Sequence, residues 1–126
     1  MTNFKNTNVL VIGASENPER YAYKAIKLLI KHGYNVTALA NKAGKIDTIN
    51  FFTNTDDFKK ENIDTVTLYV NSKNQEQYRD IIIKIKPRRV IFNPGTENED
   101  FYDDLHRNNI AYEEACTLIL LNTGQF

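Results

Sequence analysis

Cysteine is nearly missing. Cys116 is the only one in 126 residues, so no internal disulfide can form, and no CxxC or Cys/His cluster marks a metal site. That usage fits a reducing, cytoplasmic setting. No apolar run approaches the roughly 20 residues that span a bilayer, and the opening Met1-Thr2-Asn3-Phe4-Lys5-Asn6 is polar, unlike a signal peptide. Net charge is absent too: 16 Lys+Arg balance 16 Asp+Glu, which argues against a broad nucleic-acid surface. The length suits one domain with a core that needs no staples.

The charge that exists is unevenly placed. Residues 1–46 hold seven Lys/Arg and two Asp/Glu, whereas residues 97–114 hold seven Asp/Glu and one Arg. A basic first half suits an anionic ligand near the first turn, and equally suits ordinary solvated helix faces.

Apolar periodicity then lays out the elements. Val9–Gly13 reads as a buried strand. Asn17 is an N-cap candidate with Pro18 at the first helical position. Ala22, Ala25, Ile26, Leu29 and Ile30 form the helix's core stripe, Lys24, Lys27 and Lys31 face water, and Gly33 after His32 ends it. Tyr34–Leu39 is a second strand, Asn41–Lys45 a loop, Ile49–Thr53 a short extended piece and Asp56–Lys60 a helical turn. Thr65–Val70 is a strong third strand, with Val66, Leu68 and Val70 on one side. Ser72-Lys73-Asn74-Gln75 fits a capping box ahead of a helix that buries Tyr78, Ile81, Ile82 and Ile85 and closes at Pro87. Arg89–Phe92 is a fourth strand and Asn93-Pro94-Gly95 a turn. Thr96-Glu97-Asn98-Glu99 is a second capping box, before a helix carrying Phe101, Tyr102 and Leu105 and ending at Asn108-Asn109. Ile110–Glu113 and a helix over Cys116–Leu121 complete the chain. Strands alternating with helices predict a doubly wound, mostly parallel, Rossmann-like α/β sheet of five strands, order 3-2-1-4-5, flanked by helices. Ligands bind such sheets at the strand carboxyl ends, here Gly13–Asn17, Ala40–Lys42, Val70–Ser72 and Asn93–Thr96.

The dinucleotide fingerprint G-x-G-x-x-G is missing after its first glycine, since Ala14, Glu16 and Pro18 fill the following places. The ribose-binding acid at the end of the second strand is missing as well, because that strand ends Leu39-Ala40-Asn41-Lys42. A lysine there suits a phosphorylated ribose, as in NADP or coenzyme A. In the first turn, Gly13 permits a tight bend, Ser15 adds a hydroxyl, and Arg20 can reach a phosphate oxygen, against the plainer readings of a capping serine and a solvated arginine.

The run Val11-Ile12-Gly13-Ala14-Ser15-x-Asn17-Pro18-Glu19-Arg20-x-Ala22-Tyr23 resembles the opening of the small stand-alone CoA-binding proteins, and Asn93-Pro94-Gly95 resembles their later turn. Both are more distantly similar to the CoA-binding N-terminal domain of the succinyl-CoA synthetase α subunit. The likeness spans Asn8 to about Leu121. It implies that Gly13, Ala14, Ser15 and Arg20 hold the CoA pyrophosphate, with Asn17 in the same motif. It implies that Asn41 and Lys42 meet the adenosine and its 3′-phosphate. It also implies that Asn71-Ser72 and Asn93, Pro94 and Gly95 line the pantetheine path. Tyr23 is a candidate to stack on adenine or to pack at the rim. Two departures from the family stand out: Ala40–Lys45 lacks the proline often found there, and the synthetase's catalytic domain has no counterpart in this sequence.

No catalytic set emerges. His32 and His106 fall on charged helix surfaces, and the neighbours Glu113 and Glu114 point to opposite faces of a strand. Cys116 reads as a small buried hydrophobe, with a mixed disulfide to the CoA thiol as the weaker alternative. The leading expectation is non-catalytic binding of coenzyme A or an acyl-CoA, as sensor or regulator. The alternatives are an NADP-linked or acyl-CoA-handling enzyme, identified by the nucleotide that co-purifies, and a protein-interaction module, identified by partner capture without a nucleotide-induced thermal shift. A homodimer is compatible with the fold, and nothing in the sequence specifies it.

Overall fold

The computed structural model describes residues 7–126; the polar opening Met1–Asn6 lies outside the described residues. Strand β1 (Asn8–Ile12) divides the core. Its side chains alternate, as strand geometry requires. Val9 and Val11 enter one cluster with Ile26, Leu29, Ala38 and Leu121, while Leu10 and Ile12 enter another with Val66, Leu68, Ile82, Phe92 and Phe101. The side chains of Val9, Leu10, Val11 and Ile12 are fully buried, so β1 is central and covered on both sides.

The remaining elements follow in chain order: α1 (Tyr21–Lys31), β2 (Asn35–Leu39), β3 (Lys45–Ile46), β4 (Ile49–Phe52), β5 (Ile63–Leu68), α2 (Glu76–Ile85), β6 (Arg89–Phe92), α3 (Glu99–Arg107), β7 (Ala111–Glu114) and α4 (Thr117–Asn122). They build one sheet of order β3-β4-β2-β1-β5-β6-β7. Every pairing is parallel except β3–β4. α1 and α4 supply Ile26, Leu29 and Leu121 to one face, and α2 and α3 supply Tyr78, Ile82, Phe101 and Leu105 to the other. No helix among the described residues is long and apolar enough to cross a membrane.

The doubly wound α/β class holds, but the sheet has seven strands rather than five and its order differs. The Thr65 strand does not lie outside β2. It pairs with β1, Val66 against Leu10, and the place outside β2 is taken by β4, with Phe51 opposite Ala38. Beyond it, the two-residue turn Asp47-Thr48, with Asp47 at φ 52°, folds β3 back on β4. A two-residue strand leaves almost no periodic signal.

Several boundaries also move, each because a polar side chain bonds locally to backbone. Asp56–Lys60 is a turn rather than a helical turn, with Asn54 Oδ1 accepting the Asp56 N–H at 2.9 Å. The Ser72 capping box does not form. Asn71 Oδ1 instead accepts the Asn74 N–H at 2.9 Å, and α2 begins only after Gln75. At α3 the cap is Asn98, whose side chain accepts from the Phe101 N–H, and not Thr96. Thr96 donates its hydroxyl to the Asn93 carbonyl at 2.7 Å.

Two buried amides tie the elements beyond β5 and β6 together. Asn93 Nδ2 donates to Thr67 Oγ1 (2.6 Å) and to the Leu68 carbonyl (2.9 Å), while Oδ1 accepts the Thr117 N–H at 2.9 Å. One side chain thus joins β5, the end of β6 and the start of α4. Gln75, fully buried, donates to the Val70 and Thr96 carbonyls and accepts from Asn98 Nδ2. Truncating Asn93 strands a buried carbonyl and a buried N–H, and each orphan costs about 1–3 kcal/mol. Asn93→Ala should therefore lower stability by about 2–4 kcal/mol in urea unfolding, and a change under about 1 kcal/mol would show that the network is slack.

Candidate functional site

The carboxyl ends of β1, β2, β5 and β6 enclose a cleft of about 930 Å³, near the top of the ~300–1,000 Å³ range of small-molecule sites. Gly13 forms its floor. It has φ +98°, and a Cβ there would sit 2.9 Å from the Tyr69 carbonyl carbon and 3.0 Å from Val70 Cγ1, so only glycine fits this turn.

The turn after Gly13 differs from the expected helix entry. Asn17 caps a turn rather than the helix: its Oδ1 accepts the Glu19 N–H, and the Arg20 N–H donates to the Asn17 carbonyl, both at 3.0 Å. Pro18 sits inside that turn, where its fixed φ is suited to the second position. Arg20 is therefore the N-cap residue of α1 and not a residue one turn inside it. It makes no side-chain cap bond, and the first turn carries no acid. The first N–H groups of α1 are left without intrahelical partners, and the helix dipole favours an anion at that point.

Two donors of the glycine loop are already in use. Gly13 N–H and Ala14 N–H both donate to the Leu39 carbonyl, at 2.8 and 3.1 Å. Among the described residues the N–H groups of Ser15 and Glu16 donate to no protein acceptor. Ser15 Oγ accepts the Asn17 N–H at 3.1 Å, which leaves its own proton to give. Arg20 and Lys42 are exposed, line the cleft, and form no ion pair among the described residues.

Of the residues singled out from sequence, Gly13, Ala14, Ser15, Arg20, Asn41, Lys42, Asn71, Pro94 and Gly95 line the cleft together. Four do not. Asn17 is spent on the turn, Ser72 lies outside the cleft, Asn93 is buried in the amide network, and Tyr23 packs against the cluster beneath α1. Glu16 and Thr96 line it from the strand-end stretches already singled out, and others line it without having been foreseen: Glu19, Phe51, Tyr69, Asn74, Gln77 and Tyr78. Phe51 arrives through the β4 pairing that the apolar pattern did not reveal. Asn74 and Gln77 stand at the start of α2, where Gln77 Nε2 donates to the Asn74 carbonyl at 3.3 Å.

No histidine or cysteine lines the cleft. His32 and His106 are exposed at the ends of α1 and α3. Cys116 is the half-buried N-cap residue of α4. Glu113 pairs with Arg89 at 3.0 Å on one face of β7, and Glu114 accepts from Tyr102 Oη at 2.7 Å on the other.

Tyr69 is the unusual phenol. Burial pushes it up to about 12, the nearby Thr117 and Thr67 hydroxyls pull it back, and Cys116 adds a smaller rise. Those two hydroxyls bond one another at 2.8 Å, which leaves Tyr69 Oη without a partner of bonding geometry.

A family model described as CoA binding domain matches residues 7–122, and the chain belongs to that family. No curated protein matches the sequence. A crystal structure of an uncharacterized protein is 38% identical, with a TM-score of 0.90 over 95% of this chain and 98% of that one. A Thermus thermophilus structure, cell-free ID.343, shares the fold at 18% identity and a TM-score of 0.84, over 95% of this chain and 90% of that one. The fold also recurs in an acetyl-coenzyme A synthetase from Ca. Korarchaeum cryptofilum. There the identity is 18% and the TM-score 0.67, over 86% of this chain and 25% of that one.

The orphaned phenol makes a prediction of definite sign. The Tyr69 pKa in the folded chain is raised from 10.0 to about 12. Its contribution to stability is therefore complete below pH 10 and is lost as the pH climbs toward 12. Tyr69→Phe should flatten that alkaline decline and leave stability at pH 7 unchanged or raised by up to about 1 kcal/mol. Urea melts across pH 7–11 would test this, and a loss above about 1 kcal/mol at pH 7 would mean that the hydroxyl is bonded after all.

Proposed function

We propose, on the premise that the chain belongs to the CoA binding domain family, that it binds coenzyme A or an acyl-CoA in this cleft as a non-catalytic carrier, sensor or regulator. The observation that carries the reading is the uncapped start of α1. Free N–H groups, the Ser15 hydroxyl and the unpaired Arg20 guanidinium meet at one end of the cleft, as a pyrophosphate requires. Asn41 and Lys42 take the adenosine end with its 3′-phosphate. Asn71, Asn74 and Gln77 offer side-chain amides along one wall, and Pro94 and Gly95 offer open backbone, which suits the two amides of a pantetheine arm.

A second reading makes the chain the CoA-handling part of a larger catalytic assembly. It is favoured by the recurrence of the fold as about a quarter of an acetyl-coenzyme A synthetase. Under that reading the chain alone binds the ligand, and turnover appears only when a separate catalytic protein is added.

Isothermal titration with CoA, acetyl-CoA, NAD and NADP tests the proposal. CoA species should bind and NAD should not, and no CoA binding at high micromolar concentration would overturn it. Arg20→Ala should weaken CoA by about 10-fold to 150-fold, the worth of a hydrogen bond to a charged group. Lys31→Ala, at the far end of the same helix, should change little. Equal losses from the two would mean that the α1 N-terminus is not the anchor.

A further inference from the structure

A single carboxylate fastens the loop after β1 to the start of β3. Glu16 Oε2 accepts the Lys45 N–H at 2.8 Å. The fit beneath it is close: a Cβ on Gly44 would meet Glu16 Cγ at 2.9 Å and Phe51 Cδ2 at 2.7 Å. The intervening span is held at both ends. Ala40 N–H donates to the Phe52 carbonyl at 2.9 Å, and Phe51 N–H donates to the Gly44 carbonyl at 2.8 Å. Asn41, Lys42 and Ala43 are thus a short bridge between fixed points, and Lys42 at its centre lines the cleft.

Glu16 has two effects of opposite sign. Its negative charge beside the free Ser15 and Glu16 N–H groups opposes any anion in the cleft. Its hydrogen bond helps one, because it adds a tie from the β1 turn to the bridge that carries Lys42 and so lowers the entropy cost of ordering it on binding. A site that gained nothing from the second effect would be better served by a neutral residue.

We propose that Glu16 is a positioning residue. Through the Lys45 amide it sets Lys42 and so gives the cleft its selectivity for a nucleotide with a phosphorylated ribose. The proposal rests on the CoA reading and narrows it to one end of the ligand. Glu16→Gln keeps an acceptor oxygen and removes the charge, whereas Glu16→Ala removes both, so the two variants separate the effects.

The test measures binding of CoA and of dephospho-CoA, which lacks the 3′-phosphate, to the wild type and both variants. Exchange of the Lys45 amide proton is followed by NMR without ligand. The wild type should prefer CoA. Glu16→Ala should lose about 3-fold to 10-fold in CoA affinity and less for dephospho-CoA, which narrows the preference. Glu16→Gln should keep the preference and bind both ligands as tightly or more tightly. Lys45 exchange should quicken in Glu16→Ala and stay slow in Glu16→Gln. An unchanged preference in Glu16→Ala, or the two variants behaving alike, would overturn the positioning role. An unchanged Lys45 exchange rate in Glu16→Ala would overturn it without any ligand. Failure of the wild type to bind CoA would instead overturn the reading on which the proposal rests.

Discussion

Three strand ends converge on Gly13, and that convergence is the constraint the rest of the site depends on. The Leu39 carbonyl at the end of β2 accepts from both Gly13 and Ala14, and Tyr69 after β5 donates to the Ile12 carbonyl at 2.8 Å. The positive φ and the absence of a Cβ allow the Tyr69 backbone to lie against the turn. Because this packing uses the first two N–H groups of the loop, an anion is left with the next two and with the uncapped start of α1. The donors left open to the cleft are thereby those of Ser15, Glu16 and Arg20 rather than of the glycine itself. That pattern follows from backbone hydrogen bonding, which leaves few buried polar groups unpaired.

The opposite wall is stiffened in another way. Asn93 and Gln75 sit where a ligand could have met them, but they are turned inward and bonded on both amide atoms. They let α2, α3 and α4 start from fixed places, so that Asn71, Asn74, Pro94 and Gly95 present themselves to the cleft on a rigid base. Buried amides satisfied this fully specify one arrangement, because any slip would leave several groups unpaired at once.

Much of this was legible beforehand where the signal is short in range. The alternating and 3.6-residue apolar patterns located β1, β6, α1 and α3 within a few residues, because burial of one face is encoded in spacing. The Gly13-to-Arg20 run marked the turn that opens onto the cleft, since a glycine closing an apolar strand ahead of a helix is a strong local signal. Local competition was harder to read. Ser72, Thr96 and Asn17 all had the spacing of helix caps, but Asn71, Asn98 and the Asn17-Pro18 turn claimed the backbone groups first. A capping sequence states only which bonds are available, and the energies of the rival bonds lie within about 1 kcal/mol of one another.

By itself, then, the sequence determined the α/β class, the faces of the main helices and the position of the first turn. Tertiary structure alone decided that the Thr65 strand lies beside β1, that β4 brings Phe51 to the cleft, that Asn93 and Tyr23 turn away from it, and that Glu16 reaches Lys45. The physical reason is range. Periodicity and backbone preference act over a few residues, whereas strand order, an amide's choice of partners and a carboxylate bond across 29 positions are settled only when distant segments compete for the same buried surface and the same hydrogen-bonding groups.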